Sequence, residues 1–276
     1  MSYYTDAPRG QPAARPLLLV HSVNAAASAY EVRPVYEHYR ATRPVYAPDL
    51  PGFGFSDRSD REYTPRLMTD AVHAVREEIT RAHGPGPVDA LAVSLGCEFL
   101  ARAAVETPAG FASLALVSPT GFDGGAPRLG PEGSHRGMPW LRAAFTFPLW
   151  SEAFFRALTS RASIRFFLAK TWGSAAIDAG LAEYDWLTAR QPGARHAPYF
   201  FVSGFLFSND SGRVYRSLAQ PVWMSHGVRG DFTDYRGKRA FEERPNWRFT
   251  VFDTGALPHF EAPRAFLAAY DAFLAR

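Results

Sequence analysis

A single cysteine, Cys97, is all the thiol chemistry that 276 residues carry. It can close no intramolecular disulfide and build no cysteine-based metal cluster. Lysine is almost missing as well, since Lys170 and Lys238 stand in a basic set of 30 that is otherwise arginine. Those arginines are scattered and the formal charge is only +3, so the basic stripe that a nucleic-acid partner needs is absent. No apolar run approaches the roughly 20 residues that span a bilayer. Met1 to Arg15 is polar, without the basic start and apolar run of a signal peptide. A cytoplasmic protein with no membrane and no nucleic-acid partner is therefore expected. His38, His73, His83, His135 and His196 show no metal-ligand spacing. Gly52-Phe53-Gly54 lacks the continuation of a phosphate loop, and no dinucleotide fingerprint is found. No metal and no cofactor are implied, and the sequence does not give the oligomeric state.

What is present is a hydrophobic fraction of 47%, enough for one large core. Leu17-Leu18-Leu19-Val20 is a short continuous apolar run, as a buried strand of a parallel sheet would be. Tyr30 to Tyr39 reads as a helix, Pro44 to Pro48 as a strand, and Thr64 to Ala82 as an amphipathic helix with Leu67, Ala71, Val72, Val75 and Ile79 on one face. Pro87 to Val93 is a further strand, Cys97 to Val105 a helix of small residues, and Ser113 to Val117 a strand again. This alternation predicts right-handed crossovers in a doubly wound, mostly parallel α/β sheet.

The pattern breaks at Gly121. From about 124 to 212 there is a Gly/Pro-rich linker, then aromatic helical segments at Leu141 to Leu158, Ile164 to Trp172, Ile177 to Thr188 and Pro198 to Phe207. Strand pattern returns at Pro221 to Ser225 and Trp247 to Phe252, and a helix at Pro263 to Leu274 closes the chain. The division expected is an α/β core at 1–123 and 213–276, interrupted by a helical cap at 124–212. The cap aromatics, among them Phe145, Trp150, Phe154, Phe155, Phe166, Phe167, Trp172, Tyr184 and Trp186, predict an apolar cleft between cap and core.

Three motifs carry chemistry. Ala92-Val93-Ser94-Leu95-Gly96 lies between a strand and a helix, the setting of a nucleophile elbow. Small residues flank the serine because strand and helix backbones nearly touch there. His21-Ser22-Val23-Asn24 follows the first core strand, and Asp49-Leu50-Pro51-Gly52-Phe53-Gly54-Phe55-Ser56 forms a loop after the next. Together these motifs resemble the α/β-hydrolase superfamily, in the capped branch that holds meta-cleavage-product hydrolases, epoxide hydrolases, haloalkane dehalogenases and cofactor-free haloperoxidases. The resemblance implies Ser94 as nucleophile and the Val23 and Leu95 amides as the oxyanion hole. A serine rather than an aspartate at the elbow argues against a dehalogenase or epoxide hydrolase, which need a carboxylate there. His21 organises its loop in such proteins, and Asn24, His226 and Asp234 stand at the site's edge.

The remaining triad positions depart from the family pattern. In Gly227-Val228-Arg229-Gly230-Asp231 the acid position is Gly230, so Asp231, one residue later, is the expected acid and Asp234 the second choice. In Gly255-Ala256-Leu257-Pro258-His259-Phe260-Glu261 the base position is Ala256. His259 matches a second histidine of the motif that is usually structural. Three readings stand: His259 serves as base, the protein works without a Ser-His base, or alanine replaces a histidine by engineering. The expectation is a serine-hydrolase-like enzyme for a small hydrophobic carbonyl compound such as an ester, thioester or β-diketone. The alternative is a pseudo-hydrolase, a ligand-binding or non-hydrolytic protein that reuses the pocket.

Overall fold

Runs that are apolar on both faces can only sit in the middle of a layered sheet, and that is where they lie. The structure, a computed structural model, describes residues 1–8 and 14–275. Its seven strands are β1 (Tyr3–Asp6), β2 (Leu17–Val20), β3 (Val45–Pro48), β4 (Val88–Val93), β5 (Phe111–Val117), β6 (Val222–His226) and β7 (Trp247–Val251). They form one sheet in the order β1-β3-β2-β4-β5-β6-β7. β2 to β7 pair in parallel, and β1 pairs antiparallel with β3. Every residue of β2, β3, β4 and β6 is buried, as a doubly covered sheet requires. The edge strand β1 was not foreseen, because its residues are largely exposed and carry no apolar pattern; backbone pairing alone makes it a strand.

On the flanks lie α1 (Arg33–Tyr39), α2 (Pro65–His83) and α3 (Gly96–Glu106). Thr64 caps α2 by accepting a hydrogen bond from the Leu67 amide, and Val72, Val75 and Ile79 bury its apolar stripe. Between β5 and β6 come α4 (Pro139–Thr146), α5 (Ser151–Leu158), α6 (Arg161–Trp172), α7 (Ala179–Thr188), α8 (His196–Val202) and α9 (Ser211–Arg216), with α10 (Pro258–Glu261) and α11 (Pro263–Leu274) after β7. The single helix expected over Leu141 to Leu158 is two, because Pro148 cannot continue a helix. The segment expected to run to Phe207 stops at Val202, and Gly204 then turns the chain at a φ of 86°. Among the described residues, no helix is long and apolar enough to cross a membrane.

Two apolar clusters fill the two sides of the sheet, and a smaller third one, including Phe155, Ile164 and Tyr199, holds together the helices between β5 and β6. The carboxyl ends of β2, β4, β5 and β6 lead into His21, Ser94, Ser118 and Gly227, so the motifs found in the sequence share one edge of the sheet.

Candidate active site

Ser94 has a φ of 51°, a left-handed conformation that costs a non-glycine residue about 1–3 kcal/mol and is held here by its surroundings. Its amide donates to the Val117 carbonyl at 2.8 Å, and its carbonyl accepts from the Cys97 amide at 3.1 Å. Gly96 is obligatory, since a Cβ there would strike the His21 carbonyl oxygen. Beneath the turn, Cys97 is fully buried with Sγ 3.2 Å from the Ala92 carbonyl, and burial pushes its thiol pKa well up.

The turn opposite the elbow is as firmly held. Leu50 N–H donates to His21 Nε2 at 2.9 Å, while His21 Nδ1 meets the Ser22 carbonyl, which fixes the proton on Nδ1. His21 is thus an organiser of its loop. The buried Asp49 carboxylate accepts from the Ala29 and Phe55 amides, each at 2.8 Å, and a Cβ at Gly54 would collide with it. Asn24 is spent on the turn, with Nδ2 on Glu31 at 2.7 Å and Oδ1 accepting from the Ala26 amide at 2.7 Å. The Val23 and Leu95 amides, both on buried residues, have no acceptor among the described residues. The Leu95 amide stands at the N-terminus of α3, and two free N–H groups near such a terminus would suit a developing oxyanion.

Ser94 opens into a cavity of about 280 Å³. Its walls hold Phe122, Phe207, Phe232 and Tyr235, but also Glu98, Asp123, Arg128, Arg136, Asp231 and Asp234. The apolar cleft expected from the cap aromatics is therefore corrected. None of the nine aromatics named for it lines this cavity, and Trp150, Phe154, Phe166 and Phe167 face outward. Helical spacing shows that a helix has an apolar face; it does not say whether that face meets the site, the cap's own core or solvent.

The structure does not bring His259 to Ser94 or to Asp231 by any hydrogen bond. His259 is fully buried, its Nε2 donates to the Glu31 carbonyl at 2.7 Å, its Nδ1 has no partner among the described residues, and burial lowers its pKa to about 4. Asp231 lines the cavity, but its carboxylate is bound to Lys170 Nζ at 2.8 Å. Asp234 also lines it, and is held well below the usual carboxylate range by hydrogen bonds from Arg236 and the Gly124 amide. His226 is buried, stacked on Tyr235 with ring centroids 4.1 Å apart, with Nε2 3.0 Å from Lys238 Nζ. Burial holds its pKa below the ordinary value.

Gly230 and Ala256, the two positions at which the sequence departs from the expected triad, abut the last turn of α6. Gly230 has a φ of 90°, and a Cβ there would collide with the Lys170 carbonyl. The Asp231 amide donates to that same carbonyl at 3.1 Å. The Ala256 amide donates to the Thr171 carbonyl at 2.9 Å, and its neighbour Gly255 has no room for a side chain beside Trp172. Glu261 completes the loop by accepting from the Gly255 amide at 2.6 Å and from Arg229.

Three site residues escaped the sequence reading. Ser118, at the end of β5, has a φ of 48°, lines the cavity and donates to the Ala256 carbonyl at 2.6 Å. Tyr235 is buried in the cavity wall with its phenol pushed up to about 12 by burial. Glu98, one turn after Ser94, accepts from the Thr120 hydroxyl and the Ser208 amide, and burial raises its pKa. Only Glu98 had a sequence signal, as the acid in the first turn of a helix whose other charged residues are Arg102 and Glu106. Ser94 Oγ itself makes no hydrogen bond to a described residue, and no group of three or more His, Cys, Asp or Glu among the described residues is placed to hold a metal ion.

A model of the alpha/beta hydrolase family matches residues 17–269. Among solved structures, the chain is similar to a meta-cleavage product hydrolase from Pseudomonas fluorescens IP01, at 16% identity and a TM-score of 0.70 over 99% of this chain and 93% of that one. It is similar to a thermophilic esterase from Thermogutta terrifontis at 16% identity and a TM-score of 0.71, over 99% and 92% of the two chains. A serine hydrolase from the polyaromatic hydrocarbon-degrading bacterium Cycloclasticus zankles aligns at 17% identity and a TM-score of 0.70, over 99% and 93%. No curated protein sequence is significantly similar. At these identities the likeness speaks for the fold.

Proposed function

As the chain belongs to the alpha/beta hydrolase family, we propose that it acts on a small hydrophobic carbonyl compound, such as an ester, a thioester or the C–C bond of a β-diketone. The substrate oxygen lies between the Val23 and Leu95 amides, and Ser94 Oγ attacks or hydrogen-bonds the carbonyl. Residues 124–212 form the cap that closes over it. The observation that carries this reading is the pairing of a strained serine with two unoccupied amides at one sheet edge. A non-functional elbow would retain its strain without return. In this reading His259, oriented by Asp231, is the base only if both leave their present partners, Glu31 and Lys170.

That requirement favours a second reading, a pseudo-hydrolase whose pocket binds a ligand or runs chemistry other than hydrolysis. Serine without a base is a weak nucleophile near neutral pH. The two are separated by a matched set of this protein, Ala256→His and His259→Ala, assayed by fluorophosphonate labelling of Ser94 and hydrolysis of short-chain p-nitrophenyl esters. Activity in the starting protein that His259→Ala abolishes establishes a working serine hydrolase. Activity confined to Ala256→His shows a correctly placed Ser94 without its base and supports the second reading. Failure of Ser94 to label in every variant ends the nucleophile assignment.

A further inference from the structure

The Val23 amide can serve an oxyanion only if its turn is rigid, and the turn is held by a carboxylate that no motif announces. Glu31 lies in the short turn before α1, buried with its two oxygens divided between two donors. Oε2 accepts from the Ser22 amide at 2.8 Å, and Oε1 accepts from Asn24 Nδ2 at 2.7 Å. These partners flank Val23 on both sides. The main chain of Glu31 is fixed in turn by His259, whose Nε2–H reaches its carbonyl from the loop after β7. Among the described residues no arginine or lysine pairs with Glu31, so a buried carboxylate is kept here on hydrogen bonds alone. Such a group is costly unless its geometry is used. From the cap side it faces the buried Asp185 of α7, whose carboxyl is pushed well up by burial and by the Glu31 charge.

We propose that Glu31 is the positioning residue of the oxyanion turn: anchored by His259, its carboxylate grips Ser22 and Asn24 so that the Val23 amide stays aimed at the substrate carbonyl oxygen. The proposal rests on the reading of Ser94 as a carbonyl-directed serine and gives His259 a task other than proton transfer. Glu31 never touches substrate; it acts through Ser22 and Asn24. Two features distinguish it from a residue that merely packs. Its effect falls on the transition state, and the donor–acceptor pattern can be exchanged.

Glu31→Gln keeps the shape but puts an NH2 group against one of two donors. Glu31→Gln combined with Asn24→Asp restores the match, because the new carboxylate accepts what the new amide donates. The experiment measures three things on the full chain: 15N order parameters of Ser22 to Asn24, affinity for an alkylboronic acid, and kcat and KM on an ester wherever turnover exists. In the boronate complex a bond forms between Ser94 Oγ and boron, the hydroxyl proton passes to solvent, and a boron-bound oxygen occupies the oxyanion site. Expected for Glu31→Gln are lower order parameters and boronate affinity and kcat reduced by about 100-fold, with KM within about twofold, as for loss of one oxyanion donor. The double variant should regain most of both. Unchanged order parameters, or a loosened turn with undiminished boronate affinity, overturns the proposal, as does a loss that the double variant fails to rescue. If the unsubstituted protein takes no boronate, the Ser94 reading fails separately, and the order parameters alone decide whether Glu31 holds the turn.

Discussion

Ser94 and Ser118 follow adjacent strands, both at positive φ, and only one of them was visible in advance. The elbow could be read because its geometry demands small neighbours, and a collision at Gly96 leaves a mark in the sequence. Ser118 demands nothing comparable of its neighbours, so a strand end followed by proline gave no sign of it. His259 is the opposite case. Its position in the motif was legible, yet its partner, the Glu31 carbonyl, lies 228 residues away and has no side-chain identity to betray it. The same burial makes His259 a titration switch on stability. Its folded pKa is about 4 against an ordinary 6.5, so the unfolded chain takes up the proton first as pH falls. Stability contributed above pH 6.5 should therefore be lost between 6.5 and 4, at up to about 1.4 kcal/mol per pH unit. A His259→Gln variant should show a flatter decline over that window in urea titrations at stepped pH.

Among elements, α6 matters most to the site. Its last carbonyls, on Lys170 and Thr171, receive the amides of Asp231 and Ala256, so one helix end fastens both loops on which the acid and base were expected. This explains why Gly230 is glycine: the space a side chain would need, where the acid was expected, is filled by the backbone at the end of α6. Replacing Gly230 by Asp should therefore destabilise the protein by about 1–3 kcal/mol through strain at positive φ, without improving hydrolysis even beside Ala256→His. Thermal unfolding and ester assays on the single and double variants check this. The sequence hinted at none of it, because contact between a loop glycine and a helix terminus obeys no periodicity. Helix α7 gives a second test. Burial raises the Asp185 carboxyl well above its ordinary 3.8, so the unfolded chain ionises first as pH rises. Asp185 thus costs stability progressively above about pH 4. Asp185→Asn, isosteric and uncharged, should raise Tm at neutral pH while leaving it nearly unchanged at about pH 4.

Across the whole molecule, the six parallel strands β2 to β7 were legible because continuous apolar strands separated by helices admit few arrangements. The stretch between β5 and β6 was legible as helices but not as a surface. Trp140 is 70% exposed and Leu149 82% exposed, whereas Phe155 on the neighbouring helix is buried. Aromatic content thus overstated how much of this stretch is packed. Exposure should set the energetic scale: Trp140→Ser and Leu149→Ser should shift stability by no more than about 0.5 kcal/mol, and Phe155→Ala should cost about 3–5 kcal/mol. Denaturant midpoints of the three variants measure that contrast.

Cys97 lies directly under the elbow, sealed from solvent and reluctant to ionise. As the only thiol in the chain, it is a natural stopwatch for that region. A thiol-reactive dye should find nothing to modify while the elbow stays shut, and each labelled molecule records one opening of the turn between β4 and α3. The rate of dye capture, followed with and without a ligand in the Ser94 cavity, would report how tightly occupancy closes the floor of the site.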